Sequence, residues 1–133
     1  MSENLDLVRS ISAAHERGDY GSAEWAHPDI EYVIVGGPTP GAWKGRAAMA
    51  SAARELFSAW EEHRTVVEDV RAIDGERVLV LAHASGRGKA SGVELDAAQW
   101  QVAALYQIRD GQVIRHVAYL DRADALADLG LKE

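Results

Sequence analysis

Two Asp-Gly pairs, Asp74-Gly75 and Asp110-Gly111, decide most of what this chain can fold into. Each lies between two runs rich in β-branched and aromatic residues. Residues 63–73 and 77–87 flank the first pair, and residues 93–109 and 113–120 flank the second. Asp-Gly supplies the two positive-φ residues that a tight hairpin turn needs. The pattern therefore predicts two successive β-hairpins. Residues 93–109 would extend roughly 55 Å if straight, at about 3.3 Å per residue. That is too long for a domain of 133 residues, so this strand is expected to bend or bulge near Ala97-Ala98. Long bent hairpins curl a sheet and leave a concave face for helices.

Helical spacing supplies the rest. Leu5, Val8, Ile11 and His15 recur on one face, which predicts a helix over residues 5–17 ended by Gly18. Asp19 then caps a second short helix, 20–26, broken by His27-Pro28-Asp29. Residues 30–35 alternate and read as a strand, and residues 36–41 form a Gly/Pro loop. Over 46–60, Met49, Ala53, Leu56, Phe57 and Trp60 form an apolar stripe, which predicts the clearest helix of the chain. A last helix covers 122–129, with Asp121 as its cap, Asp124 in its third position and Gly130 at its end. The expected fold class is α+β: a curved, mixed or mostly antiparallel sheet with helices packed on its concave face. Residues 1–133 are expected to form a single domain.

Composition removes several classes of function. The formal net charge is −7, which opposes the phosphate neutralisation on which nucleic-acid binding depends. There is no cysteine, and the acidic start lacks the pattern of a signal peptide. No run approaches the ~20 apolar residues of a membrane span. The expectation is a cytoplasmic protein with no membrane partner. The five histidines show no pair at ligand spacing, so no metal site is expected. Residues 87–92 are glycine-rich but lack the Gly-Lys-Ser/Thr ending of a phosphate loop. Val78-Leu79-Val80-Leu81 is apolar in succession. Both faces of that strand should be covered, and a second subunit is the simplest cover for the face without helices, giving a homodimer through the sheet.

Several short motifs, in order, resemble the SnoaL-like branch of the nuclear transport factor 2-like superfamily. They are Arg17-Gly18-Asp19, His27-Pro28-Asp29, Trp43-Lys44-Gly45, the segment from Arg87 to Gly92, and the ending from Arg109-Asp110-Gly111 through Tyr119-Leu120-Asp121-Arg122 to Gly130-Leu131. The resemblance covers essentially the whole chain. It implies a cone-shaped, cystatin-like roll with a pocket between sheet and helices, usually paired as a homodimer. It does not fix an activity, because the superfamily spans isomerases, dehydratases, hydrolases, cyclases and non-catalytic modules.

The resemblance also sets the candidate chemistry. The ketosteroid isomerase positions fall near Ile11, Val35 and Ala103, which cannot move a proton. The polyketide cyclases pair an aspartate with a histidine. Asp121 matches the aspartate, but the histidine's place falls at Gln107. An unbroken turn at Asp110-Gly111 would pair Gln107 with Ile114 and Leu105 with His116, so His116 would share that face and could supply the missing imidazole. Strict alternation, however, sets His116 and Asp121 on opposite faces. His116 and Asp121 are the candidate catalytic pair, and each has a plain alternative: a hydrogen-bonded sheet histidine and a helix cap. Tyr32, Trp43, Phe57, Trp60, His83, Leu105 and Gln107 are the candidate ligand-binding residues. For His83 a satisfied core group is the preferred reading, whereas the aromatics read equally as core packing. The sequence thus supports a protein that binds a small, mostly apolar organic molecule and needs no cofactor. Whether it is a cofactor-free acid–base enzyme (isomerase, cyclase, dehydratase or hydrolase) or a non-catalytic ligand-binding or protein-interaction module stays open.

Overall fold

A computed structural model of the chain describes residues 2–17, 24–37, 40–58, 60–88, 94–95 and 100–131. Three helices, α1 (Ser2–Glu16), α2 (Arg46–Ser58) and α3 (Arg122–Leu129), accompany seven strands. The strands are β1 (Ala26–Val35), β2 (Gly41–Lys44), β3 (Trp60–Ala72), β4 (Arg77–Gly88), β5 (Glu94–Leu95), β6 (Gln101–Arg109) and β7 (Gln112–Tyr119). They form one curved sheet in the order β2-β1-β7-β6-β4-β3, with β5 beside β4. Only β1 and β7 run parallel; the other pairs are antiparallel. The mixed α+β architecture read from the sequence is therefore present.

Both Asp-Gly hairpins form. At the first, Asp74 accepts hydrogen bonds from the backbone N–H groups of Glu76 and Arg77, at 2.9 and 2.8 Å. At the second, Asp110 and Gly111 both take positive φ, 53° and 77°, as a type I′ turn requires. The expected long strand divides into β5 and β6, and the predicted bend at Ala97-Ala98 lies outside the described residues, as does most of the predicted helix 20–26. Its last residue does not continue a helix: Ala26 opens β1, and His27-Pro28-Asp29 belongs to that strand. A register shift between Ala26 and Glu31 absorbs the proline, which has no N–H to give the ladder.

A further expectation is corrected. The helix predicted to reach Trp60 ends at Ser58, whose Oγ donates to the Glu55 carbonyl at 2.8 Å, and Trp60 begins β3 instead. The segment after the Gly/Pro loop forms the short strand β2, which pairs Trp43 with Tyr32.

The sheet carries a core on each face. On one, Val8 and Ile11 of α1 and Met49 and Leu56 of α2 pack with Tyr32, Val80 and Tyr106. On the other, Leu79, Leu81, Leu105 and Val117 pack with Ala125, Leu129 and Leu131, in and after α3. Not all the helices lie on one face, and α3 covers the face left to a second subunit. Val78 and Leu79 are both fully buried within one chain, so the argument for a dimer from that apolar run falls away. Among the described residues, Val66 is the single large hydrophobic side chain that is exposed, at 57%. Among the described residues, no helix is long and apolar enough to cross a membrane.

Candidate functional site

The second hairpin determines which side chains face α1 and α2. Arg109 pairs with Gln112 and Ile108 with Val113, but the register then shifts, so that Gln107 faces Arg115 rather than Ile114. The N–H of Val113 leaves this ladder and donates to the Trp25 carbonyl at 2.9 Å. One extra residue in β7 exchanges the faces of everything beyond it. His116 therefore pairs with Tyr106, and Val117 takes the place opposite Leu105. This corrects the pairing of His116 with Leu105 that an unbroken ladder predicts.

Between that face and helices α1 and α2 lies a cavity of about 150 Å³. Its floor is small and apolar: Val80, Ala82 and Ala84 from β4, Val102 and Ala104 from β6, and Ala118 from β7. Met49, Ala53, Leu56 and Phe57 of α2 form its roof. Its polar atoms come from Ser12 and His15 of α1, Tyr32, His63, Thr65, Tyr106, His116 and the indoles of Trp25, Trp60 and Trp100. No Asp, Glu, Lys or Arg stands among the described lining residues. No group of three or more His, Asp or Glu among the described residues could hold a metal ion.

The rings gather in two groups. In the first, His116 stacks on Tyr106, with centroids 4.3 Å apart and planes at 14°. Tyr32 lies 5.2 Å from the same imidazole and Trp25 6.0 Å. His116 is 8% exposed, and its Nδ1 is buried with no hydrogen-bond partner among the described residues. Burial drives this imidazole far below its ordinary value, to about 3, and the neighbouring His15 pushes the same way. Burial also raises the Tyr32 phenol to about 12. It raises the Tyr106 phenol too, with Tyr32 adding to the effect. At neutral pH the His116 imidazole and the Tyr32 and Tyr106 phenols are therefore uncharged. The second group joins Phe57 to His63 at 4.7 Å and Trp60 to Trp100 at 4.6 Å. Trp100 donates its Nε1–H to the Leu120 carbonyl at 3.1 Å, whereas Trp60 Nε1 is buried without a partner among the described residues. Burial lowers the His63 pKa as well.

Of the candidate residues, Tyr32, Phe57, Trp60 and His116 meet at this cavity. The others do not line it. Trp43 packs behind Tyr32, with ring centroids 6.1 Å apart. Leu105 is buried in the opposite core, and Gln107 donates to Glu76 at 3.2 Å. His83 lies outside as well, 3.4 Å from Glu68, which also pairs with Arg122. Arg122 donates in addition to the Ala82 carbonyl at 2.8 Å. Asp121 is exposed and caps α3, accepting the Ala123 N–H at 3.0 Å. Its carboxylate is committed to that helix end, and the structure does not bring it together with His116. His15, Trp25, His63 and Tyr106 are lining residues that the candidate set lacked. The apolar stripe of α1 already placed His15 on the buried side; the other three depend on register and tertiary pairing.

The SnoaL-like domain family matches residues 8–116 of the chain. Solved structures agree across nearly all of its length. An NTF2-like protein from Burkholderia thailandensis superimposes with a TM-score of 0.78 at 18% identity, covering 96% of this chain and 97% of its own. An NTF2-like protein of unknown function from Burkholderia pseudomallei gives 0.75 at 19%, with 96% and 97% covered. TerC, co-crystallised with polyporic acid, gives 0.73 at 18%, with 96% and 98% covered. No protein of curated function matches the sequence. With that match over most of its length the chain belongs to the SnoaL-like domain family, and its fold is that of the NTF2-like proteins it superimposes on.

Proposed function

We propose that this protein binds a small, mostly apolar organic molecule in the cavity between its sheet and helices α1 and α2. The observation that carries the reading is the cavity itself: about 150 Å³, floored by alanine and valine and walled by aromatic rings. Apolar walls with a few fixed polar groups are how such ligands are held. An apolar space of this size takes at least one aromatic ring. The crystals of the similar protein TerC with polyporic acid support the same kind of occupant.

A second reading adds catalysis, with His116 as the acid–base group and no cofactor. The buried imidazole at the cavity wall favours it. Against it stands the depressed basicity of that ring, since a base far below the working pH accepts a proton poorly. Binding is therefore the leading function. Equilibrium dialysis with toluene, naphthalene and biphenyl tests it. At least one should bind at micromolar concentration, and Ala53→Trp, which fills the roof, should abolish binding. If none binds, or if the filled variant binds equally well, the cavity is not a ligand site.

A further inference from the structure

The two aromatic groups lie at opposite ends of the cavity floor. Along one face of β6 and the residue before it the order is Tyr106, Ala104, Val102, Trp100. Ala104 and Val102 separate the two rings along that face. No aromatic ring interrupts it; across the sheet the intervening residues face Val80 and Ala82. Each end carries one buried polar atom without a partner among the described residues, His116 Nδ1 at one and Trp60 Nε1 at the other. Such atoms are uncommon in folded proteins because each forfeits a hydrogen bond to water without replacing it. Both belong to rings that line the cavity. Rotation about χ2, a broad torsion for both side chains, changes the direction in which either atom points. The indole nitrogen can only donate; a neutral imidazole nitrogen can accept a hydroxyl proton.

Charge restricts the occupant further. The described lining offers no Asp, Glu, Lys or Arg to balance an ionic ligand, and an unpaired charge is costly to bury. The groups that face His116 are the His15 imidazole from α1, the Tyr32 phenol from β1, the Tyr106 phenol from β6 and the Trp25 indole. None of them is a carboxylate or a guanidinium.

Resting on the ligand-cavity reading, we infer that the occupant is an uncharged, elongated aromatic compound with a hydroxyl at each end. One hydroxyl donates to His116 Nδ1, and the other accepts from the Trp60 Nε1–H. An apolar ring system lies between them over Ala104 and Val102.

Biphenyl, 4-hydroxybiphenyl, 4,4′-dihydroxybiphenyl and biphenyl-4-carboxylate test the inference by equilibrium dialysis at pH 7.5. Affinity should rise from biphenyl to the diol by about tenfold per hydroxyl, the scale of one well-placed hydrogen bond. The carboxylate should bind more weakly than biphenyl. His116→Phe and Trp60→Phe keep a ring in place and remove the nitrogens, and each should cost the diol about tenfold more than it costs biphenyl. Biphenyl binding as tightly as the diol overturns the inference while leaving the cavity a ligand site. So does a diol affinity untouched by both variants, or a carboxylate bound best. If no member of the series binds, the ligand-cavity reading fails and the inference fails with it.

Discussion

The imidazole of His116 lies flat on the phenol ring of Tyr106, 4.3 Å between centroids. These two residues sit opposite each other on β6 and β7 because one extra residue enters the ladder between Gln107 and Ile108. The cavity follows from that shift. Without it His116 would face α3, among Leu105 and Leu81.

Deleting Ile114 tests that reading of the ladder. With the extra residue gone, Arg115 follows Val113 directly, so Gln107–Arg115 and Tyr106–His116 stay paired in an even ladder and His116 keeps its place at the cavity. We expect a loss of about 1–3 kcal/mol in a urea titration, the scale of an ordinary single change, with the imidazole resonance of His116 little moved. A deletion variant that unfolds, or in which the His116 environment changes wholly, would show that Ile114 is not the extra residue.

Burial of His116 also has a pH signature. The folded value of about 3 lies below the ordinary 6.5, so between them the unfolded chain binds a proton that the folded chain refuses. Stability from this residue is full above about pH 6.5 and falls as the pH drops toward 3, by up to about 1.4 kcal/mol per unit. His116→Phe removes that slope. Urea midpoints at pH 6, 5 and 4 should converge between the two proteins or cross in favour of the variant. Parallel pH profiles would mean that the imidazole is not buried as described.

Asp121 is expected to behave as a cap. Asp121→Ala should cost about 1 kcal/mol of stability, with α3 and its contacts to Leu79 and Leu105 loosened. Ligand affinity and any turnover should be unchanged. A large loss of either, with the fold intact, would return Asp121 to the site.

The side chain of Arg122 is 8% exposed; it ties α3 to β3 and β4 through Glu68 and the Ala82 carbonyl. Arg122→Ala strips both partners and should destabilise by about 2–4 kcal/mol, the range for breaking a mostly buried pair from one side. Glu68 is about a third exposed, but removing it leaves the buried Arg122 guanidinium without its counter-ion, so that change should cost at least as much. Thermal melts of the two single variants and the double variant measure the coupling.

The fold was legible where local chemistry is strong. The Asp-Gly turns placed both hairpins, Asp121 and Gly130 bracketed α3, and Leu5, Val8 and Ile11 marked the buried face of α1. Trp60 was misassigned because it stands three residues after Phe57, and helical spacing suits it as well as strand alternation does. The strand β2 is four residues long and mostly exposed, which leaves no apolar pattern to read. The site was half legible. Large rings at Tyr32, Phe57 and Trp60 announced themselves by size. The bulge did not, because Val113-Ile114 looks like any strand, and the bond from Val113 to the Trp25 carbonyl that accompanies it exists only once β1 pairs with β7.

The five histidines offer the most direct test of the central claim, that the cavity is where a small organic molecule binds. His15, His63 and His116 line it, whereas His27 and His83 do not. Carbon-13-edited NMR of the imidazole resonances, recorded while 4,4′-dihydroxybiphenyl is added, follows all five at once. The account predicts that His116 shifts most, that His15 and His63 shift with it, and that His27 and His83 stay where they are. Shifts confined to His27 or His83, or no shift at saturating ligand, would contradict it.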